Sequence, residues 1–186
     1  TVGSTAFARD VSDWVLSAYL NSKAVFRLLT TLNPTLAFQV GDLRSLPFAT
    51  PDETLRTRIE GLAEDSFQTA KTDFDSHESS WSFTKPPLLR QNKTSFEDAY
   101  DRWKEKATED FLQLHANEEK LNELFIDLYG LDDELSPRVA LDEITILEDE
   151  LDRDALEELD DERDDLTGEE LRQRFLEDGP DDALFK

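Results

Sequence analysis

Cysteine and methionine are both missing from this 186-residue chain. Without cysteine there is no disulfide framework, no zinc-thiolate site and no thiol nucleophile, an absence that suits a cytoplasmic protein. Without an initiator methionine, the chain reads as a piece excised from something longer. No apolar run approaches the roughly 20 residues of a membrane helix, and residues 1–10 carry no signal-peptide pattern. Positive charge is in deficit: 20 Lys and Arg face 44 Asp and Glu, for a net charge of -24 and a pI near 4.2. That balance opposes simple electrostatic attraction to a phosphate backbone. The two histidines, His77 and His115, fall on separate elements without metal-ligand spacing and read as surface or core-edge residues. The acidic runs at Asp132-Asp133 and Asp160-Asp161 lack the fixed glycine and ligand spacing of a calcium loop and read as solvated faces. No metal site and no catalytic residue is expected.

What is present is enough for a core, since 38% of residues are hydrophobic, with 12 Phe and 3 Trp. The patterning is mainly that of α-helices. Ser12 can cap a helix whose apolar face runs from Trp14 to Leu32, with a break and recap at Asn21-Ser22. Thr50-Pro51-Asp52-Glu53 signals a second start, followed by Leu55, Ile59, Leu62, Ala63, Phe67, Ala70 and Phe74 on one expected buried side as far as Asp75. Residues 76–92, with Pro86-Pro87, read as an irregular crossing that plugs Trp81, Phe83, Leu88 and Leu89 onto the helices. Ser95 and Asp98 start the longest helix, striped from Phe96 to Leu128, with a possible break at Ala116-Asn117 and a stop at Gly130. Its simplest partner is the helix beginning at Thr50, packed antiparallel as a helical hairpin.

Between the first two helical stretches lies a unit of another kind. Residues 33–47 read Asn-Pro-Thr-Leu-Ala-Phe-Gln-Val-Gly-Asp-Leu-Arg-Ser-Leu-Pro. Asn33-Pro34 opens an extended turn, Leu36, Phe38 and Val40 alternate with Ala37 and Gln39 as in a half-buried strand, and Gly41-Asp42 bends the chain. A short strand-turn unit is therefore expected near residues 35–48. At the other end, Val139, Leu141, Ile144, Ile146 and Leu147 can still reach a core. Residues 148–165 are two-thirds acidic around isolated leucines, and read as a tail or marginal helix too poor to bury much surface. Thr167-Gly168-Glu169-Glu170 can cap one more helix carrying Leu171, Phe175 and Leu176, closed by Gly179-Pro180. The expected organisation is a helix plus strand-turn unit over 1–48, a helical spacer over 49–147, and an acidic, partly disordered tail over 148–186.

The order of residues in 33–47 resembles a segment of large adenine-specific DNA methyltransferases, of the BREX phage-exclusion (PglX-like) type and of the type fused to type II restriction enzymes. Residues 71–83, Lys-Thr-Asp-Phe-Asp-Ser-His-Glu-Ser-Ser-Trp-Ser-Phe, are similar to a second stretch of the BREX enzymes, which usually carry Trp where Phe74 stands and Phe where His77 stands. Residues 116–131 resemble a helix end shared more widely among the fused enzymes. The likeness covers roughly residues 12–147. It implies a parent that transfers a methyl group from S-adenosylmethionine to adenine in phage defence, with DNA and the parent's catalytic and specificity domains as partners. The motifs for that chemistry, a glycine loop after a strand and an Asn/Asp-Pro-Pro-aromatic element, are missing. Asn33-Pro34-Thr35-Leu36 lacks the second proline and the aromatic. The chain itself is therefore expected to hold no cofactor and to connect the catalytic and specificity domains.

The acid, spread along the whole chain, suits adaptation to concentrated salt, where the screening length falls to about 3 Å. A free-standing acidic helical interaction protein or a DNA mimic is the alternative. If the segment meets DNA, the candidates are the polar and basic side chains around the strand-turn unit: Lys23, Arg27, Asn33, Thr35, Gln39 and Arg44. Asn and Gln can read adenine edges, and Arg can read guanine or phosphate.

Overall fold

The computed structural model describes residues 10–35, 38–90, 95–163, 166–179 and 184–186. They group into two units: the residues up to Glu64 with Lys120–Pro137, and Asp65–Glu119 with Arg138–Lys186. Among the described residues the architecture is helical, and the β structure is an isolated antiparallel bridge between Leu151 and Phe185.

In the first unit, Ser12 accepts from the Trp14 amide and starts α1, Asp13–Asn21. Ser22 ends that helix and caps α2, Lys23–Leu32, by accepting from the Val25 amide, so the expected break and recap is a single serine. The amide of Lys23, at the first turn of α2, donates to Asn122 Oδ1 at 2.9 Å, which satisfies one of the helix's free N–H groups. The expected strand does not form at its C-terminal end. Leu36 and Ala37 lie outside the described residues, Phe38 belongs to no regular element, Gln39 is extended, and Val40–Arg44 is a short helix, α3. The reason is local: Asp42 Oδ2 accepts from the Gln39 amide at 2.8 Å, closing a helical turn that places Gly41 inside it.

Asp52, not Thr50, caps α4, Glu53–Phe74, accepting from the Leu55 amide at 2.8 Å. Its Ile59 and Ala63 join Val15, Ala18, Tyr19, Ala24, Val25 and Leu29 in one core, completed by Leu124 and Phe125 of the last helix turns of α6, Phe96–Tyr129. Tyr19 and Tyr129 stack and both donate to the Pro47 carbonyl, at 2.8 and 2.7 Å. Gly130, at φ +62°, stops α6, and the Leu131 amide donates to the Ile126 carbonyl in the glycine-dependent helix ending.

In the second unit, α6 runs unbroken through Ala116-Asn117. Asn117 donates to Asp65 Oδ2 at 2.8 Å, while Asp73 feels the charge of Asp110, so these parts of α4 and α6 are antiparallel as expected. The face that α4 turns inward here is not the expected one. Asp65, Thr69, Thr72 and Asp73 recur at helical spacing, and Thr69, Thr72 and Asp73 line a cleft with Lys106, Ala107 and Asp110. Phe67, Ala70 and Phe74, on the other side, are exposed. Residues 76–90 hold a short helix, α5, Pro87–Arg90. Trp81 and Leu89 stand in solvent there, contrary to the expected plug, and Phe83 and Leu88 are half-buried.

Residues 148–165, expected to bury little, contribute Leu151 and Leu156 to the second core, where the expected helix beyond them adds Leu171 and the last residues add Leu184. Leu151, Leu156 on α7 (Arg153–Glu162), Leu171 on α8 (Gly168–Asp178) and Leu184 meet Phe111, Leu112, Val139, Leu141, Ile144 and Ile146. A 3₁₀ turn, Leu141–Glu143, and the caps Asp152 and Thr167 organise the entry of these pieces.

Candidate nucleic-acid interface

All six polar and basic candidates fall in the first unit. Asn33, which caps the C-terminal end of α2, joins its turn to α3: its Nδ2 donates to Asp42 Oδ2 at 2.8 Å, and its Oδ1 accepts from the Thr35 amide and hydroxyl at 3.1 and 2.7 Å. With the Gln39 amide on the same carboxylate, Asn33, Thr35 and Gln39 form one connected turn. The donation by Asn33, then that by the Gln39 amide, holds the Asp42 carboxyl below its ordinary range, so it stays ionised and occupied inside the turn. Gln39 and Arg44 are exposed, whereas Lys23 is half-buried at the start of α2. Arg27 is exposed and pairs with Glu134 at 3.3 Å, an ion pair open to water and weak on that account. Asn33 and Thr35 are thus structural parts of the turn; Gln39 is exposed while its side chain faces the Asp42 amide in a capping box, and Arg44 is exposed in the last turn of α3.

The acid is not uniform. Residues 14–51 contain a single acidic residue, Asp42, against three basic ones, Lys23, Arg27 and Arg44, while the remaining sequence holds the other 43 acids. This gap was legible in the sequence and is the signal that charge totals conceal. The same region carries exposed apolar side chains: Phe26 at 61%, Leu32, Phe38 at 37% and Val40, with the rings of Phe26 and Phe38 edge to face at 6.3 Å.

The second unit contains a polar cluster that residue spacing did not expose. His115 is wholly buried, not at a surface or core edge, and Arg163 is 1% exposed. Glu119 is the hub: Oε1 accepts from the Val139 amide at 3.1 Å and from Arg163 at 3.2 Å, and Oε2 accepts from the Gly168 amide at 2.6 Å. Arg163 also donates to the Val139 carbonyl at 2.8 Å, and its Nε lies 2.7 Å from Asp160 without hydrogen-bond alignment. Burial pushes the His115 pKa down, so the ring is neutral. Its Nε2 lies 2.8 Å from the Val139 carbonyl and 3.0 Å from Arg163 Nη1, so it donates to the first in one tautomer and accepts from the second in the other, and Nδ1 has no hydrogen-bond partner. Every strong contact is internal, and the cluster ties α6 to the segments at Val139 and Gly168. No group of three His, Asp or Glu among the described residues is placed to hold a metal ion.

The sequence is 36% identical over 158 residues to the adenine-specific methyltransferase PglX of Lacticaseibacillus casei (strain Zhang), a match that takes in 82% of this chain and 13% of that protein. The chain belongs with the PglX/BrxX-type adenine-specific methyltransferases. The adenine-specific methyltransferase BrxX of Escherichia coli O9:H4 (strain HS) is 26% identical over 133 residues, 69% of this chain and 10% of its own length. The chain thus spans about an eighth or less of the length of the PglX and BrxX proteins it matches. No family model matches it. No helix among the described residues is long and apolar enough to cross a membrane.

Proposed function

We propose that the chain acts as a non-catalytic, DNA-proximal connecting segment of an adenine-specific DNA methyltransferase of a BREX or restriction-modification system. The acid-poor stretch of residues 14–51, on a chain of net charge -24, is the observation that carries this reading. A duplex presents one phosphate per roughly 1.7 Å of axis, so it approaches such a chain only where the acidic coat is interrupted. There Arg27 and Arg44 supply cations, and Gln39 an amide able to pair with an adenine edge. Lys23, Asn33 and Thr35 fix the helix start and turn that carry them.

The connecting role puts residues 1–48 nearest the recognition apparatus and the helical residues that follow as spacer, with residues 148–186 packed into the core of the second unit. In the parent the methyl donor is S-adenosylmethionine. The residues here do not fit that group: among the described glycines, Gly41 and Gly61 lie inside helices, Gly168 begins one, and Gly130 and Gly179 end two. None follows a strand, so no strand-loop-helix cradle exists among the described residues, and the proposal has the donor held elsewhere in a cytoplasmic parent. Arg27→Glu with Arg44→Glu in the parent enzyme tests the reading. A gel-shift assay should show loss of binding to its site. Binding at the wild-type level would overturn the DNA-proximal role.

A further inference from the structure

Phe26, Leu32, Phe38 and Val40 are exposed apolar side chains that the six polar and basic candidates leave unused. Phe26 is on α2, one residue before Arg27, and Phe38 immediately precedes Gln39. Their rings are fixed edge to face, with centroids 6.3 Å apart and planes at 88°. An exposed phenylalanine has two kinds of polymeric partner: another protein's apolar surface, or the face of an unstacked nucleic-acid base. Charge separates the two. A protein partner imposes no requirement on the sign of the surroundings, and the chain's other exposed aromatics illustrate this. Phe67, at 50%, follows Glu64 and Asp65, and Phe74, at 60%, stands between Asp73 and Asp75. Phe26 and Phe38 instead lie in a stretch of 38 residues with a single acid and with Lys23, Arg27 and Arg44; that acid is held inside its turn by Asn33 and the Gln39 amide, and Arg27 pairs at the surface with Glu134 from outside the stretch.

We infer that Phe26 and Phe38 form an aromatic tooth that stacks on an unpaired or unstacked base, with Arg27 and Arg44 contacting the flanking phosphates. The occupant is a nucleic acid that exposes base faces. This rests on the DNA-proximal reading and extends it from backbone attraction to recognition of opened structure. Aromatic stacking is tolerant of base identity, because each base has a π-face, so the tooth would respond to the state of the duplex and not to its sequence. The aliphatic neighbours Leu32 and Val40 suit the apolar sugar edge and thymine methyl next to an opened step.

The experiment uses the 186-residue chain at low salt, with fluorescence anisotropy on two labelled DNAs: a fully paired duplex, and the same duplex with a central gap of two unpaired bases. Wild type should bind the gapped DNA about tenfold more tightly, the order expected for stacking one base on an aromatic ring. Phe26→Ala with Phe38→Ala should lose that preference and keep the paired-duplex affinity, with an unchanged helical circular-dichroism signal, since both side chains are exposed. Arg27→Glu with Arg44→Glu should weaken binding to both DNAs. Equal affinity of wild type for the two DNAs, or a preference that survives loss of both rings, overturns the tooth while leaving DNA proximity in place. No binding of wild type to either DNA overturns both. Loss of self-association by the double alanine variant, seen in sedimentation together with unchanged gapped-DNA preference, would assign the rings to a protein interface instead.

Discussion

Glu118 shows how one side chain's surroundings turn into a dependence on pH. Burial in the second unit, reinforced by the charge of Glu143, pushes its carboxyl up to about 7 from an ordinary 4.5. Between those values the folded chain holds a proton that the unfolded chain has released, so stability falls as pH rises through that window. Below about 4.5 the penalty vanishes; above about 7 it is complete. Glu118→Gln should therefore stabilise the protein, and by more at pH 8 than at pH 5. The difference should be on the order of 2 kcal/mol, less than the full shift implies because water still reaches part of the group. Urea unfolding of both proteins at the two pH values measures it, and an equal gain at both would refute the assignment. The adjacent Glu119 is faced instead by the Arg163 guanidinium and the amides of Val139 and Gly168. Arg163 left no trace in the sequence pattern: a lone arginine in an acidic run reads as a surface ion pair, and only the convergence of Glu119, Val139 and Asp160 makes it a core residue.

At the scale of elements, α8 depends on a close approach. A Cβ on Gly168 would meet the Ala116 Cα at 2.8 Å, His115 Nδ1 at 2.9 Å and Glu119 Oε2 at 3.1 Å. The nearest of these is backbone of a long helix and cannot step aside cheaply. Gly168→Ala should cost about 1–3 kcal/mol, as overpacking does. Gly61 provides the internal control. It lies inside α4, where an added methyl meets nothing within 4 Å, and Gly61→Ala should add about 0.5–1 kcal/mol through its effect on the unfolded chain. Thermal melts that move in opposite directions would support this account, and a neutral Gly168→Ala would refute it. Helix starts and stops of this kind were legible, because capping is written in adjacent residues: Ser12, Ser22, Thr167 with Glu170, and Gly130 all act where the sequence places them. The alternation was misleading at Val40 because the Asp42 side chain favours a helical turn over Val40–Arg44. The leucines of residues 148–186 were undervalued for a related reason. A pattern along the chain measures their density, whereas Leu151, Leu156, Leu171 and Leu184 come from four separate segments to one core. The candidate site was legible as a list of residues, but the division between those that hold the turn and those that leave it required the hydrogen bonds.

For the molecule as a whole, the net charge of -24 sets two responses to salt that oppose each other. Self-repulsion among carboxylates destabilises the compact state, and the screening length shrinks from about 10 Å at 0.1 M to about 3 Å at 1 M. Helical circular-dichroism signal and unfolding midpoint should therefore rise as KCl approaches molar levels, as adaptation to concentrated salt requires. DNA contact should move the other way, since each neutralised phosphate releases counterions that salt makes costlier to release. The acid-poor region offers three cations, Lys23, Arg27 and Arg44, so the logarithm of affinity should fall with the logarithm of salt with a slope no steeper than about -3. Contacts through Gln39, Phe26 and Phe38 add little to that slope, because amides and rings displace no condensed ions. A slope well beyond three would mean that DNA touches basic residues outside residues 14–51. A folded state that weakens as KCl rises would remove salt adaptation as the reason for the acidic coat. Measuring both on one preparation separates the two cases, because the first concerns where DNA lies and the second why the rest of the surface is acidic.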